Sequence, residues 1–145
     1  MAQKQSSHTV SSVLLRGLFW LVSLFRSVDT SLGEAKTAQL MLRKALTRMS
    51  KKAEQLSKDT TTDDTDILQL GENLKYLQDL AAEAWSIHAN LVSGVSWLTH
   101  SSDVAVKLQT QELKRFATES LAQLKQIESD LEVIKTNAAT HLKPL

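Results

Sequence analysis

The chain contains no cysteine. That absence removes a disulfide framework, a thiolate metal site and a cysteine nucleophile together, and it favours an intracellular protein over a small secreted one. Glycine and proline are nearly as scarce: there are four glycines and one proline in 145 residues, where average usage gives about 17 of the two combined. Tight turns draw on these residues, so a sheet protein with many turns is disfavoured and a long helical one is favoured. Aromatic residues are 5% of the chain, few for a compact enzyme core, and Leu and Ala, both good helix formers, carry the apolar load. A dominant charge is missing as well. The formal net charge is +1, without the basic excess on which nucleic-acid binding relies. A long hydrophobic run is also absent. Arg16 interrupts the apolar stretch between Val10 and Phe25, and a helix needs about 20 apolar residues to cross a bilayer. A chain of this length makes one domain.

What is present is a repeating apolar stripe with steps of three and four. It runs through Val10, Leu14, Gly17, Leu21, Leu24 and Val28, and on through Ala35, Ala38, Leu42, Ala45, Met49, Ala53 and Leu56. A second stripe holds Ile67, Leu70, Leu74, Leu77, Ala81, Ala84, His88, Leu91, Val95 and Leu98. A third holds Val106, Thr110, Leu113, Ala117, Leu124, Ile127, Leu131, Ile134 and Ala138, with Phe116 and Leu121 alongside. Stripes of this kind mark helices that pack lengthwise, as in coiled coils. Lys58 to Thr65 and Thr99 to Asp103 are polar, rich in cap-forming residues, and read as loops. Short loops make neighbouring helices antiparallel. The fold class is therefore all-α: an elongated antiparallel bundle of three long helices with coiled-coil-like packing. Ser31 and Glu34 form an S-x-x-E capping box beside Gly33, so the first helix is expected to break near Ser31 if the bundle has four helices. Residues 1–8 are polar and read as a flexible N-terminus, and residues 9–145 as the single bundle domain.

Charge placement supports a hairpin. Arg43, Lys44, Arg48, Lys51, Lys52 and Lys58 crowd the end of the first helix, and Asp63, Asp64, Asp66 and Glu72 the start of the second. Each group complements its own helix dipole. Opposed across a turn they fix register more than stability, because an exposed pair is worth only about 0.5 kcal/mol.

The chain offers little that reads as chemistry. His8, His88, His100 and His141 are scattered, without the helical zinc spacing, and no Walker, nucleophile-elbow or dinucleotide fingerprint occurs. No catalytic, cofactor or metal site is expected, and the chain reads as non-enzymatic. His88 falls on a stripe and reads as a buried histidine with one hydrogen bond or a partly exposed one at a seam. Trp20, Trp85 and Trp97 are the large aromatics, a type enriched at interface hot spots. Thr60 to Thr62, followed by Asp63 and Asp64, has the acidic context of a phosphorylation site.

The N-terminal stretch carries the functional expectation. Leu14, Leu18, Trp20, Leu21 and Phe25 are the candidate interface residues, being apolar on more than one helical face. A continuous first helix of about 48 residues would reach about 72 Å and overhang its neighbours, exposing a patch larger than soluble monomers carry. No Asp or Glu precedes Asp29, whereas Lys4, Arg16 and Arg26 are basic, a pattern shared with mitochondrial presequences and membrane-surface helices.

Ile67 to Leu74 loosely resembles the BH3 motif of apoptosis regulators, with Ile67 in the usual leucine position and Glu72 in the usual aspartate position. A second resemblance involves Ala2, Gln3, Lys4, His8, Ser11, Ser12, Leu15, Arg16, Leu21 and Val22, followed by Ala81 to Ala84 and Val106 to Gln109. These islands resemble the mature Smac/DIABLO family, mitochondrial helical proteins that antagonise inhibitor-of-apoptosis proteins. The resemblance implies an elongated bundle that dimerises through an apolar first helix. The family's exposed Ala-Val-Pro-Ile start is replaced here by Ala2, Gln3, Lys4 and Gln5.

Together these features lead to an intracellular, cytoplasmic helical scaffold or adaptor. Its expected partner is a protein, either a second copy or another helical chain, and no nucleic acid is expected. A mitochondrial or membrane-surface protein anchored through residues 9–28 is the alternative.

Overall fold

The computed structural model describes residues 27–61 and 66–142. They form α1 (Val28–Asp59), α2 (Ile67–Leu98) and α3 (Val104–Leu142), of 32, 32 and 39 residues. At 1.5 Å per residue, the first two are about 48 Å long and the third about 58 Å. No strand occurs among the described residues.

Each start is fixed by a side chain that accepts from an otherwise unpartnered backbone N–H. Ser27 Oγ accepts from Thr30 N at 3.0 Å. Asp66 Oδ1 accepts from Leu68 N at 3.0 Å. Asp103 Oδ1 accepts from Ala105 N at 2.9 Å and from Val106 N at 3.3 Å. The capping box expected at Ser31 does not form. Ser31 and Glu34 lie inside α1, and Ser31 is buried. Ser27 takes the cap four positions earlier because its backbone is extended, at φ −63° and ψ 142°, while the backbone from Val28 onward is helical.

The first loop is shorter than the sequence suggests. Lys58 and Asp59 continue α1, and Thr60 closes it. The Thr60 hydroxyl donates to Leu56 O at 3.0 Å and to Ser57 O at 3.1 Å, and Thr61 Oγ1 donates to Lys58 O at 2.8 Å. These threonines satisfy carbonyls that would otherwise drive the chain out of the helix.

The three helices run up, down and up, and each packs against both others. Lys52 meets Asn73 near one end of the α1–α2 pair, while Gly94 faces Ala35 near the other, so these two helices are antiparallel. Trp85 pairs with Glu128, and His88 with Ala117, across α2 and α3. Arg43 lies over the ring of Phe116, its guanidinium carbon 5.2 Å from the centroid, which ties α1 to its parallel neighbour α3.

Most of the core comes from the parts of the sequence stripes that lie within the described residues; Val10, Leu14, Gly17, Leu21 and Leu24 lie outside them. Leu42, Met49, Leu56, Leu77, Leu91, Leu98 and Leu124 are fully buried. The structure adds Leu46, Leu80 and Ile87. A helix touching two neighbours buries a wider arc than one seam, so positions flanking the stripe are covered too. Ala38 and Leu74 are half-buried, and Ile67 is 52% exposed at the start of α2, where the bundle ends. In the third stripe the step between Ala117 and Leu124 is filled by Ser120, buried to 1% exposure.

Of the acids the sequence put forward opposite the basic end of α1, Asp63 and Asp64 lie outside the described residues, Asp66 is engaged as a helix cap, and Glu72 lines a shallow hollow together with Arg48, Lys51 and Lys52. A polar link between the two helices is built by Lys52. Its Nζ donates to Gln55 Oε1 and Asn73 Oδ1 and sits 5.3 Å from the Tyr76 ring centroid.

Candidate functional site

Leu14, Leu18, Trp20, Leu21 and Phe25, the expected interface residues, lie outside the described residues, as do residues 1–8 and the rest of the N-terminal apolar run. What the structure places next to their point of entry is a groove. It runs between the first half of α1 and the second half of α2, beginning one turn after Ser27, with a volume of about 850 Å³.

The groove follows from residue size. Thr30, Ser31, Gly33, Ala35, Thr37 and Ala38 line it from α1, and Ser93 and Gly94 from α2. Helices carrying small side chains leave a hollow along the line between them. A Cβ placed on Gly94 would meet the Ala35 methyl at 3.8 Å. Larger apolar side chains flank this floor: Met41, 48% exposed, together with Ile87 and the half-buried Trp97. Glu34 is the one ionisable residue in the lining. Asn90 and the hydroxyls of Thr30, Ser31, Thr37 and Ser93 add polar groups, and the groove, poor in charge, is suited to a helix laid along it.

Trp97 was among the aromatics noted in sequence, but nothing there singled it out from Trp85. It immediately precedes the stripe residue Leu98, a position that flanks the seam and therefore faces the groove between two helices. Trp85 is used differently: its Nε1 donates to Glu128 Oε1 at 2.6 Å, binding α2 to α3.

His88 is buried, with Nε2 3.0 Å from the Ala117 carbonyl oxygen. A carbonyl only accepts, so Nε2 carries the proton. The Trp85 ring stands edge-on to the imidazole, with centroids 6.0 Å apart. His88 is thus a core histidine with one hydrogen bond. No group of three His, Asp or Glu side chains that could hold a metal ion occurs among the described residues. The hydroxyl of Ser120 is the buried side-chain polar atom left without a partner among the described residues.

Single residues of two sequence motifs are embedded in the fold. Leu70, central to the BH3-like stretch, is 2% exposed and belongs to the core, while Ile67 and Leu68 face outward. Thr60 is 4% exposed with its hydroxyl engaged by Leu56 and Ser57, a poor acceptor for a phosphate, whereas Thr61 is exposed and Thr62 lies outside the described residues. No described helix is long and apolar enough to cross a membrane.

Comparison of the chain with protein-family models, with curated proteins and with solved structures gives no match.

Proposed function

We propose that this protein is a non-enzymatic helical-bundle scaffold that works by helix-to-groove association with another protein chain, as a homodimer or as one subunit of a larger helical assembly. The observation that carries the reading is the α1–α2 groove, about 850 Å³ and lined by small, apolar and polar residues, with Asn90 and Glu34 among the polar ones. The N-terminal apolar run supplies the complementary ridge, with Leu14, Leu18, Trp20, Leu21 and Phe25 as its large side chains. Burying one such side chain is worth about 1.5–3 kcal/mol, so several together offset the entropy lost on association.

The test is the solution mass of the full chain, measured by sedimentation over a range of concentrations. The Leu18→Asp, Trp20→Asp double variant is compared with the parent protein. The parent is expected above monomer mass, alone or with its partner, and the variant at monomer mass with its helical signal intact. If the variant keeps its association but loses binding to anionic vesicles that the parent shows, the segment is a membrane-surface anchor and the scaffold reading fails.

A further inference from the structure

We infer that the α1–α2 face seats a second copy of this chain, related by a two-fold axis parallel to the helices, so that the basic side of α1 pairs with the acidic side of α2 in the partner subunit and the reverse. The inference rests on the proposed association through this face and names its partner and orientation.

The first observation is a separation of charge between two neighbouring helices. From Ala35 to Ala53, α1 carries six cations and no acid. On α2 the charges are Glu72, Asp79 and Glu83, with Lys75 as the one lysine or arginine. Lys44, Arg48 and Lys51 follow one another by four and three residues, and Glu72, Asp79 and Glu83 by seven and four. Each set therefore forms a straight line along one side of its helix. All six are exposed.

The second is that these lines lie along the same face, level with one another. Arg48, Lys51 and Glu72 line one hollow between α1 and α2. Asn90, seven residues beyond Glu83 and so on the same side of α2, lines the neighbouring groove with Met41. With Lys52 beside Asn73 and Ala35 beside Gly94, the antiparallel register sets Arg48 level with Asp79 and Lys44 level with Glu83. Among the described residues, however, Lys44, Arg48, Asp79 and Glu83 form no ion pair. Each chain thus presents a basic line and an acidic line side by side and leaves both unpaired.

Symmetry decides what such a face pairs with. A two-fold axis across the helices would set α1 against α1 and α2 against α2, bringing like charges together at a cost of several kcal/mol. A two-fold axis along the helices sets α1 against α2 of the other copy. Rotation about that axis moves nothing along it, so residues level within one chain stay level between chains. Arg48 then meets the partner's Asp79, Lys44 meets the partner's Glu83, and both contacts occur twice.

Size agrees. The lining of the face on α1 runs from Thr30 to Gln55, about 38 Å at 1.5 Å per residue. Two helices about 10 Å apart make a strip about 20 Å wide, which is about 750 Å² on each copy, close to the roughly 800 Å² per partner of a standard interface. Charge pairs of this kind fix orientation more than affinity. The apolar contribution comes from the groove and from Met41 and Tyr76 on the same face, 48% and 45% exposed.

The test is charge reversal with the full chain, read by sedimentation equilibrium and circular dichroism. One variant combines Lys44→Glu with Arg48→Glu, and the other combines Asp79→Lys with Glu83→Lys. The parent is expected as a dimer that weakens with added salt. Each variant alone should dimerise at least about tenfold more weakly, with its helical signal intact. An equimolar mixture of the two should regain the dimer mass, because acidic α1 then faces basic α2 and basic α1 faces acidic α2. The single reversals Arg48→Glu and Asp79→Lys carry the same test if a double reversal loses helical signal. A mixture that remains monomeric shows that the charges serve within one chain and overturns the inference. A parent at monomer mass throughout overturns it too, and leaves the scaffold reading to association with a different chain. Variants that dimerise as tightly as the parent overturn the charge pairing while the scaffold reading stands.

Discussion

His88 Nε2 lies 3.0 Å from the carbonyl oxygen of Ala117, joining α2 to α3 inside the core. This is a polar contact at a stripe position where leucine would otherwise serve, and it fixes which turn of α2 faces which turn of α3. His88→Ala removes a buried hydrogen bond, worth about 1 kcal/mol, and leaves a cavity on top of it. Urea denaturation should show a loss of about 2–4 kcal/mol, and His88→Leu should lose less because it keeps most of the volume. Equal losses for the two variants would show that the hydrogen bond, and not the packing, dominates.

Ser120 calls for the opposite outcome. Its hydroxyl is buried without a partner, and leaving such a group unsatisfied costs about 1–3 kcal/mol. Ser120→Ala should therefore stabilise the bundle, raising the thermal midpoint by several degrees in a scan by circular dichroism. A destabilised Ser120→Ala protein would mean that the hydroxyl has a partner in solution.

Leucine-to-alanine changes should separate the core from its end. Leu77, Leu91 and Leu124 are fully buried, and each truncation should cost about 2–5 kcal/mol. Ile67 falls on the same stripe as Leu77 and Leu91 but is 52% exposed, and Ile67→Ala should shift the urea midpoint by no more than an exposed change such as Gln126→Ala, within about 0.5 kcal/mol. A large loss at Ile67 would show that the bundle extends past the start of α2.

Gly71 lies within α2, and nothing stands within 4 Å of a Cβ placed there. Glycine in a helix interior is less favourable than alanine by about 0.5–1 kcal/mol. Gly71→Ala should gain roughly that amount in denaturant unfolding. A loss would point to a close neighbour at this position in solution.

Helix identity and most of the core were legible in the sequence because both depend on local periodicity. Side chains three and four apart share a face whatever the tertiary arrangement, so Leu42, Met49, Leu77, Leu91, Leu124 and Ile134 could be placed inside by spacing alone. The polar break that ends at Asp103 was legible for a similar reason, since a cap-forming residue there satisfies backbone N–H groups of its own chain, whereas Asp66 read only as a charge at the start of its helix. The scarcity of glycine and proline had already excluded a fold built on turns.

Other features required three helices to be placed together. Leu46, Leu80 and Ile87 are covered only because each helix has two neighbours, a property of the bundle that no single helix encodes. Whether Ser27 or Ser31 starts α1 depends on where the backbone leaves the helical region, and both serines stand three residues before a plausible partner. Ile67 carries the right spacing but lies where the bundle ends, so position along the axis overrides periodicity. The groove is the clearest case. Ala35, Ala38 and Gly94 read in sequence as ordinary helical residues, and they form a hollow only because the antiparallel register of α1 and α2 sets small side chains opposite one another.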